Sequence, residues 1–250
     1  MKYNDLFDTK SKFYSKYRPK YANEFIQHLC THYFRNKTQI VVDVGCGTGI
    51  LTKQILDCGL PVVGIEPNEE MLNEAVCYLK EYNNFTAINA TAENTTLPDN
   101  FADVIVVGQA FHWFDLELFK KESKRILTQQ GVVVLVWNRK CDCPMETDRK
   151  KIVEKFRSIQ DSFNCSWDER EVGIASFFDH DFIKLEFDND IEEDFQEFIG
   201  RTLSASHAIN TSDSRMEEYL NDWKQFFEKY QVNNKITIKN QTVAFIGRLK

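Results

Sequence analysis

Three glycines, each two residues from the next, follow a short β-branched run near the start of the chain. Residues 40–45 read Ile-Val-Val-Asp-Val-Gly, and the glycines stand at positions 45, 47 and 49. A strand that is buried on both faces of a parallel sheet has this apolar character. Glycine permits unusual backbone angles and the close approach of a ligand. The segment therefore predicts a buried strand that ends in a ligand-binding loop.

Strand and helix patterns alternate through residues 40–138. Strands are predicted over 40–45, 62–66, 85–90, 102–108 and 131–137, and helices over 48–58, 68–82 and 116–127. Asn68 is the predicted N-cap of the second helix because its side chain can accept a backbone N–H there. This alternation is typical of βαβ units, and right-handed crossovers then place helices on both faces of a parallel sheet.

The pattern is less regular after residue 140. Helices are predicted within 144–163 and over 191–203 and 213–230, with alternating strand residues within 177–187 and over 235–249. No internal repeat or flexible linker interrupts the chain. We therefore expect one domain over residues 1–250. Its parts are an N-terminal lid and first helix (1–35), a cofactor-binding core (36–140), a substrate-side insertion (141–230) and terminal strands (231–250).

Charge and cysteine content limit the partners expected for this chain. Its formal net charge is -7, whereas binding to nucleic acid needs clustered Lys and Arg. No apolar run approaches the ~20 residues that span a bilayer, and the polar N-terminus does not resemble a secretory signal. Cys141 and Cys143 have no second cysteine or histidine pair at zinc-site spacing. We expect a cytoplasmic protein with free thiols, and no metal, nucleic-acid or membrane partner.

A dinucleotide site is the main alternative for a glycine loop after a first strand. That fingerprint is G-x-G-x-x-G, whereas the glycines here give G-x-G-x-G. Asp43, two residues before the first glycine, would repel a pyrophosphate but suits an ammonium group or ordered water. Glu66 closes the second predicted strand, where a carboxylate can accept both hydroxyls of a ribose. A solvated charge at a strand end is the alternative for Glu66.

These segments resemble the class I S-adenosylmethionine-dependent methyltransferases. Residues 42–49 resemble motif I of that family, residues 91–98 its adenine-binding segment, and residues 101–114 its fourth strand and the following turn. Residues 17–21, 110–115 and 201–207 are similar to the type 11 branch, which includes fungal-type trans-aconitate methyltransferases. Ser206 departs from that branch, which commonly has an aromatic residue there.

The resemblance implies a fold and an activity. The fold is a Rossmann-like, doubly wound, mostly parallel seven-stranded sheet with an N-terminal lid and a C-terminal helical insertion. The activity is methyl transfer from S-adenosyl-L-methionine to a small molecule, which leaves S-adenosyl-L-homocysteine. Oxygen is the expected acceptor atom, with a carboxylate favoured over a quinone, sterol or amine. The alternative from another functional class is a protein that binds the cofactor without catalytic activity. The protein is expected to be a monomer or a homodimer.

The same resemblance assigns cofactor contacts to residues of the motifs. These are Asp43 near the ammonium, Gly45, Cys46 and Gly47 beside the amino-acid portion, Glu66 at the ribose, Pro67 and Met71 beside the adenine, Ala92 and Glu93 at its amino edge, and Gln109 and Ala110 facing the methionine portion. Tyr14 and Arg18 would reach the ligands from the lid, although that segment could also be a plain surface helix. The Cys46 thiol is expected to be a small filler.

Acceptor-side residues are the least constrained by the sequence. His112 is the candidate general base, because it follows the fourth strand among aromatic residues, and a packed histidine that shapes the pocket is the alternative. Trp113 is expected to be a pocket wall. Recognition of an acidic acceptor is assigned to Arg139, Arg201, Ser204 and His207, since arginine binds a carboxylate with two parallel hydrogen bonds. Solvated surface arginines are the alternative there.

Overall fold

The computed structural model of the chain describes residues 19–156, 167–205, 208–210 and 212–249. The chain divides into two compact units. The first, the sheet unit, comprises Lys20–Asn138, Cys165–Asp188 and Thr242–Lys250. The second, the helical unit, comprises Met1–Pro19, Arg139–Asn164 and Asn189–Gln241. Residues 165–188, which the sequence places in the insertion, therefore belong to the sheet unit.

Nine strands form two sheets within the described ranges. They are β1 (Val41–Val44), β2 (Val62–Ile65), β3 (Phe85–Ile88), β4 (Ala102–Gly108), β5 (Leu127–Lys140), β6 (Phe182–Asp188), β7 (Ile191–Glu193), β8 (Ile236–Ile238) and β9 (Asn240–Gly247). The seven-stranded sheet has the order β3-β2-β1-β4-β5-β9-β6 and is mixed, with parallel pairing from β3 through β5. β7 and β8 form a separate antiparallel pair. The predicted Rossmann-like fold is confirmed.

Eight α-helices accompany these strands in the described part of the chain. They are α1 (Asn23–His32), α2 (Ile50–Asp57), α3 (Glu69–Tyr78), α4 (Leu116–Ile126), α5 (Pro144–Phe156), α6 (Trp167–Phe177), α7 (Phe195–Leu203) and α8 (Met216–Tyr230). Asn68 caps α3 as predicted, since its Oδ1 accepts the N–H of Met71 at 3.0 Å. None of these helices is long and apolar enough to cross a membrane.

The C-terminal half differs from the sequence prediction in three places. The helix predicted over 191–203 is wrong at its start, because Ile191–Glu193 is β7, and the helix begins only after Asp194, which forms a capping box with Glu197. The single strand predicted over 235–249 is two strands, β8 and β9, in different sheets. α6 was not predicted, since its apolar residues do not line one face.

Both faces of the large sheet are buried beneath helices. Successive side chains of a strand point to opposite faces, so Ile105 and Val107 of β4 join one apolar cluster and Val104 and Val106 join the other. α4 and α6 contribute to the first cluster, and α1 and α2 to the second. Each fully buried aliphatic side chain stabilises the fold by roughly 1.5–3 kcal/mol. Ligands of such a sheet bind at the carboxyl ends of its strands.

The helical unit has its own aromatic core. Phe156 of α5, Phe198 of α7 and Trp223 of α8 are buried there together with Ile236 of β8. The rings of Phe198 and Phe226 are stacked, with an interplanar angle of 5° and centroids 5.8 Å apart. This unit therefore has a hydrophobic core separate from the two clusters that cover the sheet.

Candidate functional site

The loop between β1 and α2 has a backbone that favours glycine. Gly45, Gly47 and Gly49 have φ angles of 72°, 56° and 84°, all in the left-handed region. A Cβ atom added at Gly45 would lie 2.6 Å from the Cβ of Ala110, so the loop passes directly against the segment that follows β4. The N–H groups of Gly45 and Cys46 both donate to the carbonyl of Ile65, at 2.8 and 3.1 Å. The loop is thereby fixed to the end of β2.

Asp43 is a buried carboxyl group directly before this loop. Only 1% of the residue is exposed, and the hydroxyl of Thr52 donates to its Oδ2 at 2.6 Å. Its other oxygen, Oδ1, has no hydrogen-bond donor among the described residues. Burial raises the pKa of Asp43 to about 7, the negative charge of Glu66 adds to the rise, and the Thr52 hydrogen bond opposes it. Asp43 can therefore hold a cation that completes its hydrogen bonding.

Glu66 directly follows β2 and reinforces the loop. Its side chain is buried, with Oε2 accepting the N–H of Gly47 and Oε1 accepting the N–H of Asn68, each at 3.0 Å. Each carboxylate oxygen has two lone pairs, so both retain the capacity to accept a further hydrogen bond. Glu66 is thus not the solvated charge of the alternative interpretation. It links the glycine loop to the start of α3 and still has acceptor sites for a ligand.

Cys46 has the properties of a small buried side chain. A Cβ added at Gly64 of β2 would lie 2.9 Å from its Sγ, so the thiol fills the space beside that strand. Burial raises the pKa of the thiol well above its ordinary value, and the charges of Asp43 and Glu66 add to this effect. A neutral, buried thiol does not act as a nucleophile, which agrees with its expected role as a filler.

The expected adenine side is formed by the segments that follow β2 and β3. Pro67 is exposed and Met71 partly buried, and the Met71 Cε lies 3.2 Å from the position of a Cβ at Gly47. Ala92 is buried, whereas the Glu93 carboxylate accepts the N–H of Asp115 at 3.0 Å. The start of α4 is thereby joined to the segment that carries Ala92.

Glu122 of α4 holds the rest of this segment in place. Its Oε1 accepts both the N–H of Thr95, at 2.8 Å, and the Thr95 hydroxyl, at 2.5 Å. Arg125 binds the same carboxylate through two nitrogens, each at 2.8 Å. The sequence gives no sign of this contact, because Glu122 is one of several charged residues along the same helix.

The end of β4 meets the glycine loop in a strained turn. Gln109 has a φ angle of 56°, which is uncommon for a residue other than glycine, and its N–H donates to the carbonyl of Val136 at 2.9 Å. Strain of this kind is often found at functional sites. Tyr21, just before α1, approaches the same strand end, since a Cβ at Gly108 would lie 2.6 Å from its hydroxyl.

His112 and Trp113 lie in a short 3₁₀ turn (Phe111–Trp113) after this strand. Trp113 is 69% exposed, whereas Phe111 is buried among aromatic rings. Part of the His112 ring is open to solvent, yet the surrounding protein lowers its pKa to about 4, and the positive charge of Arg170 adds to the shift. His112 is therefore neutral near pH 7, with a pKa too low for an efficient general base.

Arg170 of α6 is a residue that sequence reasoning missed, because α6 itself was not predicted. It forms no ion pair with any carboxylate that the structure describes, and its Nε is buried without a hydrogen-bond partner. Its charge acts on His112, so the two side chains are electrostatic neighbours in the sheet unit. An arginine without a carboxylate partner can bind an anionic ligand.

Three of the expected acceptor residues belong to the helical unit. Arg201 binds Glu193 through two hydrogen bonds of 2.5 and 2.7 Å, and Ser204 donates to the carbonyl of Arg201 at 2.8 Å. The Nη2 atom of Arg139 lies 3.7 Å from the Oδ2 atom of Asp142. The Arg201 charge is therefore already paired within this unit. Tyr14, Arg18 and His207 lie outside the described residues.

No group of three or more metal-binding side chains occurs among the residues described. Cys141 and Cys143 are both partly buried.

Comparisons with known proteins show that this chain is similar to methyltransferases. The sequence profile of the type 11 methyltransferase domain matches residues 42–135, which run from β1 through most of β5. A Dictyostelium discoideum protein assigned as a methyltransferase is 27% identical over 236 residues, covering 94% of this chain and 82% of that protein. A Saccharomyces cerevisiae protein assigned as an S-adenosylmethionine-dependent methyltransferase is 28% identical over 129 residues, which are 49% of this chain and 43% of the yeast protein.

The fold itself matches solved structures over nearly its whole length. A structure of a protein from Anaeromyxobacter dehalogenans assigned as a type II methyltransferase has a TM-score of 0.67 at 19% identity, covering 93% of this chain and 98% of that one. At this identity the likeness concerns the fold alone. The profile match identifies residues 42–135, which include the glycine loop, as a methyltransferase domain.

Proposed function

We propose that the protein transfers the methyl group of S-adenosylmethionine to an oxygen atom of a small organic acid. The observation that carries the acidic acceptor is Arg170, a cation without a carboxylate partner among the described residues that acts electrostatically on His112. Both side chains belong to the same unit as the glycine loop. The resemblance of residues 110–115 to the trans-aconitate branch supports the same class of acceptor.

Asp43 and Glu66 are the cofactor contacts with the best support. The free Oδ1 of Asp43 suits the ammonium of the methionine portion, because an ammonium supplies both a donor and a compensating charge. The open acceptor sites of Glu66 suit two ribose hydroxyls. We assign the remaining contacts as the family resemblance implies: Gly45, Cys46, Gly47, Gln109 and Ala110 to the methionine portion, and Pro67, Met71, Ala92 and Glu93 to the adenine.

The chemistry asks little of the protein beyond alignment. When bound, S-adenosylmethionine supplies a methyl group that a positively charged sulfur activates. An acceptor carboxylate already has a lone pair and a negative charge, so the new C–O bond forms as the C–S bond breaks and no proton has to leave. The side chains then have to orient the acceptor and exclude water.

His112 fits a hydrogen-bonding role better than that of a base. With a pKa of about 4 its ring is neutral near pH 7, so one ring nitrogen carries a proton that can be donated to the acceptor. We assign His112 to this contact, Arg170 to the charge of the acceptor and Trp113 to the pocket wall. A phenol or amine acceptor would instead need a base, which a histidine of this pKa supplies poorly.

Arg170→Met is expected to raise the KM for an acidic acceptor about tenfold or more, because the substitution removes the charge but keeps much of the side-chain length. Affinity for S-adenosylmethionine should stay unchanged. The measurement is S-adenosylhomocysteine formation with a panel of small acids, their neutral amides, phenols and amines. At saturating S-adenosylmethionine, the kcat of the wild type should be constant between pH 6 and 8, and His112→Ala should lower it.

Lys121→Met is the matched control, since Lys121 is exposed on α4. Its KM values should equal those of the wild type. Turnover of neutral amides, phenols or amines in preference to acids, with no effect of Arg170→Met, would contradict the acidic acceptor. Tight cofactor binding without turnover of any compound would instead favour a binding protein without catalytic activity.

A further inference from the structure

Two cysteines of the sheet unit have their sulfur atoms in direct contact. The Sγ atom of Cys30, on α1, lies 2.7 Å from the Sγ atom of Cys58, the residue that directly follows α2. Both residues belong to the same compact unit. They are 28 positions apart in the chain, so the fold brings the two thiols together and the local sequence does not.

The packing of α1 and α2 sets the positions of both cysteines. The two helices bury apolar side chains in one cluster, which includes Leu29 of α1 and Ile55 of α2, and Cys30 and Cys58 pack against that cluster. Thiols are weak hydrogen-bond donors and weak acceptors, so a strong attraction between the two sulfur atoms does not explain their contact. The helix packing therefore keeps the sulfur atoms close together in the folded protein.

The contacts around Cys58 are those of a reduced, neutral thiol. The Cys30 thiol donates to the Cys58 sulfur, and the Cys58 thiol donates to the backbone carbonyl of Gln54 at 3.4 Å. The Lys37 ammonium donates to the backbone carbonyl of Cys58. Burial raises the pKa of the Cys58 thiol to about 12, the neighbouring Cys30 adds to the rise, and the positive charge of Lys37 opposes it. Cys58 is therefore protonated near pH 7.

A small oxidant can reach this pair of thiols. Both cysteines are only partly buried, in contrast to Cys46 of the glycine loop, which is buried. Peroxides oxidise the thiolate form of cysteine to a sulfenic acid, which condenses with a nearby thiol to a disulfide. Because Cys58 is protonated, Cys30 is the sulfur that is expected to react first.

We propose that Cys30 and Cys58 form an oxidation site, at which hydrogen peroxide joins the two thiols in a disulfide. Peroxide oxidises the Cys30 sulfur to a sulfenic acid and releases one water. The Cys58 sulfur then attacks the Cys30 sulfur, so that the S–S bond forms as the S–O bond breaks. The hydroxyl leaves with the Cys58 proton as a second water. A disulfide bond is about 2.05 Å long, so the two sulfur atoms have to approach by roughly 0.7 Å.

This disulfide encloses the part of the chain that carries the glycine loop. Residues 30–58 include β1, residues 45–49 and α2. A disulfide stabilises a protein mainly by restricting the unfolded chain, and the effect grows with the number of residues enclosed. We therefore expect peroxide to raise the melting temperature by roughly 5–10 °C. Dithiothreitol should reverse the rise.

Peptide mapping of the full chain tests whether the bond forms. The protein is treated with a small excess of hydrogen peroxide, the remaining thiols are alkylated, and the chain is digested with trypsin without reduction. Cys30 lies in tryptic peptide 21–35 and Cys58 in peptide 54–80, which also contains Cys77, so the mapping uses Cys77→Ser. The two peptides should appear joined, with two hydrogens fewer than the reduced peptides together. Dithiothreitol should separate them.

Melting temperatures before and after peroxide treatment give the second readout. Cys77→Ser is the matched control, because Cys77 is an exposed thiol on α3, and this variant should show the same rise as the wild type. Cys30→Ser and Cys58→Ser should each lose the rise. Reversal by dithiothreitol in the wild type gives the same information without relying on the folding of any variant.

Three results would overturn the proposal. They are the absence of the joined peptides, conversion of Cys30 or Cys58 to a sulfinic or sulfonic acid in place of the disulfide, and an equal rise in melting temperature in Cys30→Ser and the wild type. None of these measurements requires S-adenosylmethionine or a methyl acceptor. Failure of the oxidation site would therefore leave the proposed function unaffected, and failure of the proposed function would leave the oxidation site unaffected.

Discussion

Asp43→Asn is expected to weaken S-adenosylmethionine binding about a hundredfold while making the cofactor-free protein more stable at pH 8. The carboxyl is buried, and its pKa of about 7 leaves it charged at pH 8 without a partner for Oδ1. Asparagine removes the charge and keeps an oxygen that can accept the Thr52 hydroxyl. The free energy of unfolding should therefore rise by roughly 1–3 kcal/mol. Calorimetric titration and urea unfolding at pH 8 measure the two effects.

Asp57→Asn is the matched control for this substitution. Asp57 lies on α2 with half of its side chain exposed and pairs with Lys53 at the surface. Its loss should leave cofactor affinity unchanged and lower stability slightly, since surface ion pairs contribute little. Unchanged cofactor affinity in Asp43→Asn would contradict the ammonium contact. If Asp43→Asn were no more stable than the wild type, the claim that the buried charge of Asp43 destabilises the cofactor-free protein would be wrong.

Ionisation of Asp43 should lower the stability of the cofactor-free protein and raise its affinity for the cofactor, so the two quantities change in opposite directions with pH. The folded pKa of about 7 lies above the ordinary value of 3.8, so the contribution of Asp43 to stability is complete below pH 4 and is lost as the pH rises through 7. Cofactor affinity, which needs the carboxylate, should instead fall as the pH drops below 7. The limit is about tenfold per pH unit. Titrations near pH 7 in buffers of different ionisation enthalpy should detect a released proton.

The sequence predicts those parts of the site that depend on neighbouring residues. The glycine loop can be predicted from the spacing of Gly45, Gly47 and Gly49 alone. Its left-handed backbone angles depend on these residues themselves and not on distant parts of the chain. Glu66 is predictable for a related reason, since a strand period and a following proline fix where β2 ends. The parallel direction of β1 to β5 follows from the alternation of strand and helix.

Contacts between residues distant in sequence are what the sequence could not supply. Thr52 contacts Asp43 because α2 packs beside β1. In the sequence, Thr52 is simply one residue of a predicted helix, and nothing there indicates that its hydroxyl binds Asp43. Arg170 acts on His112 across 58 residues of chain, from a helix whose apolar residues do not follow one face. Ile191–Glu193 is extended because β8, more than 40 residues later, pairs with it. Pairing of this kind overrides local helical propensity.

Glu66→Ala is expected to weaken cofactor binding by roughly 1–3 kcal/mol, the usual cost of removing a charged hydrogen-bond partner. The loss has two sources: the ribose hydroxyls lose their acceptor, and the N–H groups of Gly47 and Asn68 lose theirs, which loosens the loop. A double-mutant-type cycle separates these two sources. It compares the binding of S-adenosylhomocysteine and of 2′-deoxy-S-adenosylhomocysteine to the wild type and to Glu66→Ala. Removing the hydroxyl should weaken binding to the wild type at least fivefold and have little further effect in Glu66→Ala.

Glu69→Ala is the matched control, because Glu69 is an exposed acid three residues further on, in the first turn of α3. It should bind both ligands as the wild type does. Equal penalties for the deoxy ligand in the wild type and in Glu66→Ala would mean that Glu66 does not contact that hydroxyl. The weakening would then come from the loop alone, since the N–H of Gly47 would still have lost its acceptor and the ribose would have to be held by another group.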